Sequence, residues 1–134
     1  MRRTLLLAAV LAATAVVGAS AATLASAHTT RYSTATSFGF FSGSPNAILG
    51  DISSSNSACE PRRRVKVFRR RRGPDRLIGR ARSDSGGQWE LERGSFRRAR
   101  YYAKVVKKNI GSGRHQHLCR AYRTSALRFP SGTA

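Results

Sequence analysis

Two histidines, His115 and His117, carry the clearest coordination chemistry in this chain. At i and i+2 on an extended strand they share a face, and imidazoles on one face can bind zinc or copper. A closed site needs three or four ligands. His28 is the only other histidine. As an amino-terminal residue it would chelate copper through its own amine and ring, yet the sequence offers it no partner. The pair therefore reads as two exposed histidines beside a loop, and neither a metal site nor a cofactor is assigned. A small metal-binding or hydrolytic protein using His115 and His117 stays an alternative.

Other catalytic chemistry finds little support. A glycosidase needs two carboxylates flanking a cleft. Glu90 and Glu92 share the face opposite Trp89 and offset neighbouring arginines, while Asp84 belongs to a turn. There is no G-x-S-x-G, and no Walker, Rossmann or EF-hand pattern. The expectation is a protein that is not an enzyme.

The two cysteines, Cys59 and Cys119, form no C-x-x-C. In an oxidising compartment such a pair is expected to bridge. Closing a loop of about 60 residues is worth roughly 4 kcal/mol in the chain-entropy model.

The start of the chain argues for that compartment. Arg2 and Arg3 precede the apolar run Leu5 to Val17, and Ala25-Ser26-Ala27 supplies small residues at a cleavage site. This order is a secretory signal peptide, cut between Ala27 and His28. It predicts a secreted protein with one domain, residues 28–134. The alternative is an uncleaved anchor, since the uncharged stretch from Leu5 to Ala27 is long enough to span a bilayer as a helix. The domain would then still lie outside the cytoplasm.

Charge is the other dominant signal. The chain has 25 Lys and Arg against six Asp and Glu, a formal net charge of +19. The stretch RRRVKVFRRRRGPDRLIGRAR, residues 62–82, holds eleven basic residues and one acidic. Arg62, Arg63, Arg64, Lys66, Arg69, Arg70, Arg71 and Arg72 are the candidate polyanion-binding residues. The partners implied are anionic cell-envelope polymers or lipid head groups, with non-specific nucleic-acid binding also open. Phe68 and Tyr102 could stack on bases or pack beneath arginine stems. A merely solvated basic surface is the competing reading.

The elements that must position these residues read as strands. RRRVKVFRR turns Val65 and Val67 to one face and Arg64, Lys66 and Phe68 to the other. RLIGRARS places Leu77, Gly79 and Ala81 opposite Ile78, Arg80 and Arg82. QWELE turns Trp89 and Leu91 inward. RARYYAKVVKK aligns Tyr101, Ala103 and Val105, and HLCRAYRTSAL aligns Cys119 and Ala121. With TRYSTATSFGFFSG and AILGDISSS that makes seven candidate strands. Gly73-Pro74 and Asp84-Ser85-Gly86-Gly87 punctuate them. Residues 62–82 are thus predicted to form a β-hairpin, within an all-β sandwich or barrel.

The succession of Cys59, RRVKVFR, LIGRARSDSGGQW, YYAKVV and Cys119 resembles small exported bacterial β-sandwich proteins, similar to transthyretin-like and carboxypeptidase-regulatory-like domains. The resemblance covers about residues 59–125, with residues 31–53 as earlier strands. It implies a single Ig-like sandwich of about seven strands behind a signal-peptide helix, acting as a non-catalytic binding or display module.

The cleavage reading predicts that the exported protein begins at His28. Amino-terminal sequencing checks this, and a protein that retains Met1 or Arg2 would refute it.

Overall fold

The structure is a computed structural model that describes residues 26–129. The expected signal-peptide helix and the alternative anchor lie outside the described residues. Ala27 and His28 lie just inside, both exposed. Among the described residues no helix is long and apolar enough to cross a membrane.

Among the described residues the fold is all-β, with one short 3-10 turn at Ser57–Cys59. Twelve short strands replace the seven expected: β1 (His28–Tyr32), β2 (Thr34–Thr36), β3 (Gly39–Phe41), β4 (Asn46–Ser54), β5 (Arg64–Arg69), β6 (Arg76–Arg82), β7 (Gln88–Arg93), β8 (Ala99–Val105), β9 (Lys108–Asn109), β10 (His115–Cys119), β11 (Tyr122–Arg123) and β12 (Leu127–Phe129). The excess arises where one expected strand breaks into pieces. β2 and β3 run antiparallel along β4 in one register. Between them Ser37 O approaches Gly50 so closely that a Cβ there would clash with it. At the other end, Thr124 Oγ1 accepts from Ala103 N (3.0 Å) where a backbone carbonyl would otherwise serve. The pairing with β8 consequently slips by one residue between β11 and β12.

Three hydrogen-bonded sheets result. One runs β11-β8-β5-β6 with β12 also on β8, the second has β4 flanked by β2, β3 and β7, and the third is β1-β10-β9. The core joins the first two: Val65 and Val67 of β5, and Tyr101, Ala103 and Val105 of β8, pack with Ile48 and Ile52 of β4 and Trp89 of β7. Val65 and Val67 are fully buried, each worth roughly 1.5–3 kcal/mol relative to exposure. Aromatic rings close one end, with Phe129 against Phe40 (4.9 Å) and Tyr101 (5.3 Å). The Trp89 indole donates to Thr36 Oγ1 (2.9 Å), so its one polar atom is satisfied.

The expected hairpin at residues 62–82 is β5 paired antiparallel with β6. Its facing needs one correction. Val67 pairs with Gly79 but Phe68 with Leu77, so Ile78 is the extra residue of a bulge. Ile78, expected outward with Arg80 and Arg82, instead packs against the core, because a bulge resets the two-residue alternation. Ala121 also departs from expectation: it is exposed, while Cys119 is buried, since β10 ends at Cys119. The turn at Asp84 forms as read, with Oδ1 accepting from Gly86 N and Gln88 N, both at 2.9 Å, and Gly87 at φ +86.

Cys59 and Cys119 are joined, with Cα atoms 5.5 Å apart. Beside this bridge sits the main correction to the sequence reading. Arg63, expected to meet polyanions, is fully buried. Its Nε and Nη2 donate to Val106 O (3.2 and 2.9 Å), Nη1 to Cys59 O (2.8 Å) and Thr34 Oγ1 (3.3 Å), and Nη2 also to Arg120 O (2.8 Å). Every partner is neutral, and burial lowers the arginine pKa from its usual value.

Arg63→Met should destabilise the domain by about 3–5 kcal/mol, because several buried acceptors lose their donor at once. Urea denaturation measures this, and a loss under about 1 kcal/mol would show the network to be dispensable. Cys119→Ser should cost about 2–5 kcal/mol in the same assay; two titratable thiols in the native exported protein would refute the bridge itself.

Candidate functional site

The outer face of the β11-β8-β5-β6 sheet gathers positive charge through strand register. Lys66 on β5 stands opposite Arg80 on β6 and Lys104 on β8. Lys104 in turn stands opposite Arg123 on β11. Arg80, Lys66, Lys104 and Arg123 therefore form one row across four strands, about 14 Å long at the usual strand spacing. In the neighbouring row Arg64 faces Arg82. Like charges placed directly opposite destabilise a sheet; two unit charges about 5 Å apart in water repel by roughly 1 kcal/mol.

Aromatic rings beneath the row offset part of this repulsion. Phe68 and Tyr102 are opposite one another on β5 and β8 and stack with centroids 5.3 Å apart and planes 12° from parallel. Lys104 Nζ lies 5.1 Å from the Phe68 centroid, and Arg123 Cζ lies 4.1 Å from that of Tyr102. Such contacts contribute about 0.5–1 kcal/mol each near a surface. Of the two roles open to Phe68 and Tyr102, Tyr102 takes that of a ring beneath cationic stems. It is buried, and it presents no free face to a base.

Tyr102 also ties this face to the hairpin turn. Its hydroxyl donates to Asp75 Oδ2 (2.8 Å), and Asp75 Oδ1 accepts from Arg71 N (3.2 Å). These hydrogen bonds, Tyr102 first, hold the Asp75 carboxyl below its usual pKa, with Arg70 and Arg123 adding to the effect. Burial pushes the Tyr102 hydroxyl up, and the bond to Asp75 adds to it. A groove of about 510 Å³ lies along the row, lined by Lys66, Phe68, Lys104, Val106, Tyr122 and Arg123 among others.

The sequence candidates divide between different surroundings. Arg64 and Lys66 belong to this face. Arg70, Arg71 and Arg72 are exposed in the turn. Arg62 is exposed, with φ 54, where the chain bends before Arg63 enters the interior. Arg69 turns away and lines a smaller pocket with Arg76, Arg93, Arg97 and Tyr101. Sequence reasoning missed Arg80, Arg82, Lys104 and Arg123 as members of the site. Alternation does turn Arg80 and Arg82 outward, but only the pairing register puts four cations in line.

His115 and His117 lie on β10, which pairs in parallel with β1. Among the described residues no group of three or more His, Cys, Asp or Glu side chains is arranged to hold a metal ion. No protein-family model matches the chain, and neither does any curated protein or solved structure.

Proposed function

We propose that this protein is an exported, non-catalytic β-sandwich of the Ig-like, transthyretin-like kind that binds anionic components of the cell envelope. Phosphate-bearing polymers and lipid head groups share the chemistry its cationic face would recognise. The observation that carries this reading is the register row Arg80–Lys66–Lys104–Arg123. A sheet that only needed solubility would gain by interspersing acidic residues there. A polyanion laid along the row would neutralise several charges together and release its own counterions.

The signal-peptide pattern and the disulfide support export, and there nucleic acid is a less available partner than envelope polymers. The domain is small, and the groove along the row is open and without a carboxylate among its lining residues, which favours binding over hydrolysis. Arg70, Arg71 and Arg72 at the exposed turn add a second set of charges.

Replacing Lys66, Lys104 and Arg123 by Gln should leave the fold intact, since it relieves like-charge repulsion. It should weaken binding to isolated envelope polymers. It should also flatten the dependence of log K on log salt by up to about 2–3 in slope, roughly 0.7–0.9 per lost contact on the scale known for nucleic acids. Co-sedimentation at several salt concentrations, with DNA as a parallel ligand, measures both. Undiminished binding by the triple variant would sink the proposal, and a preference for DNA over envelope polymers would redirect it.

A further inference from the structure

The fold brings together the three histidines of the chain, which the sequence separates by up to 89 positions. β1 and β10 pair in parallel, with His28 opposite His115 and Thr30 opposite His117. His28 Nδ1 and His115 Nδ1 lie 3.0 Å apart. The His117 ring stands edge-on to His28 with centroids 5.7 Å apart, and its Nδ1 is hydrogen-bonded to the Tyr32 hydroxyl (3.0 Å). Tyr32 stacks on His117 at 5.9 Å. His28 and His115 are exposed, so their nitrogens are open to an incoming ion.

We propose that cleavage between Ala27 and His28 completes a copper(II) site made of the His28 α-amine, His28 Nδ1 and His115 Nδ1. The proposal rests on the cleavage read from the sequence. In the uncleaved chain the His28 nitrogen is a peptide amide, and only two ring nitrogens converge. That agrees with the absence of a ready three-side-chain metal group among the described residues. Cleavage turns the amide into an amine, a third nitrogen donor on the same residue as one of the rings.

The geometry suits a planar ion. At metal–nitrogen distances of about 2.0–2.1 Å, two nitrogens 3.0 Å apart subtend an angle of about 95° at the metal. That is near the right angle between neighbouring ligands in a tetragonal site, which nitrogen ligands form with Cu(II). The facing Nδ1 atoms stand at hydrogen-bonding distance, and the ion would sit between them. The all-nitrogen set disfavours Mg²⁺ and Ca²⁺, which take oxygen ligands. Copper also stands at the top of the affinity order for divalent first-row metals. His117, held by Tyr32, flanks the ion and limits the movement of the His28 ring.

The test uses the exported protein, with its first residue read by intact mass, and CuCl2 as the probe. Calorimetry should give one Cu(II) per chain, and the frozen-solution EPR spectrum should show coupling to three nitrogens. His115→Ala should weaken binding at least about tenfold. The unprocessed chain should bind at least roughly 100-fold more weakly, since amine and ring no longer act as one chelate. Thermal unfolding confirms that His115→Ala is folded, and His28→Ala in the exported form provides a second variant with the same expected loss. A mature chain beginning anywhere but His28 would overturn the cleavage reading and the site with it. A chain that begins at His28 but binds no stoichiometric copper, or binds it equally well unprocessed or without His115, would overturn the site alone.

Discussion

The guanidinium of Arg63 is the pin on which the separate parts of this protein turn. It is charged, fully buried, and met only by neutral oxygens: the carbonyls of Cys59, Val106 and Arg120 and the Thr34 hydroxyl. Those four oxygens come from the 3-10 turn, the end of β8, the segment after β10 and the start of β2. The three carbonyls belong to residues outside the strands, whose oxygens a ladder does not satisfy, and the fourth oxygen is the hydroxyl of the residue that opens β2. A planar fork with five donors suits such a task, whereas the compact ammonium of a lysine could not span the same oxygens. The disulfide lies directly beside it, since Cys59 supplies one of the carbonyls. Covalent bond and guanidinium together join the small β1-β10-β9 sheet to the two sheets that enclose the core.

This arrangement explains how so short a chain supports so many broken strands. Breaks at Ser37, Ile78 and Thr124 each remove ladder bonds. Each is met locally, by Ser37 N donating to Asp51 O, by Arg93 Nη1 reaching Ile78 O, and by Thr124 Oγ1 accepting from Ala103 N. Among the described residues no buried side-chain nitrogen or oxygen lacks a partner. The sheets are irregular, but the irregularities are satisfied, and that separates a designed-in kink from a defect.

Much of the inner face was legible from alternation. Val65, Val67, Trp89, Tyr101, Ala103 and Val105 are buried where a period of two puts them, and the Asp84 turn forms from its residue types. The same rule, carried one step back from Val65, would have put Arg63 on the inner face. Its place in a run of three arginines hid it, because composition spoke louder than position. Ile78 was misread because a bulge leaves no mark in residue types. The cationic row and the histidine group were illegible for a different reason. Both depend on which residues of distant strands stand opposite one another, a property of pairing register that no single strand carries. The seven expected strands failed at the two ends of the chain, where short pieces serve different sheets and local pattern cannot tell one long strand from three short ones.

β6 ends the order β11-β8-β5-β6, so one of its edges has no strand partner within the sheet. An open edge is a template on which another chain can add. Here it carries exposed Arg76, Arg80 and Arg82 and is bent by the bulge at Ile78. Two molecules meeting edge to edge would bring six guanidinium groups together along a kinked seam. Like charge and a bent edge both oppose the pairing of this strand with a second copy of itself, so the positive charge of the sheet also acts as a barrier to edge-to-edge growth.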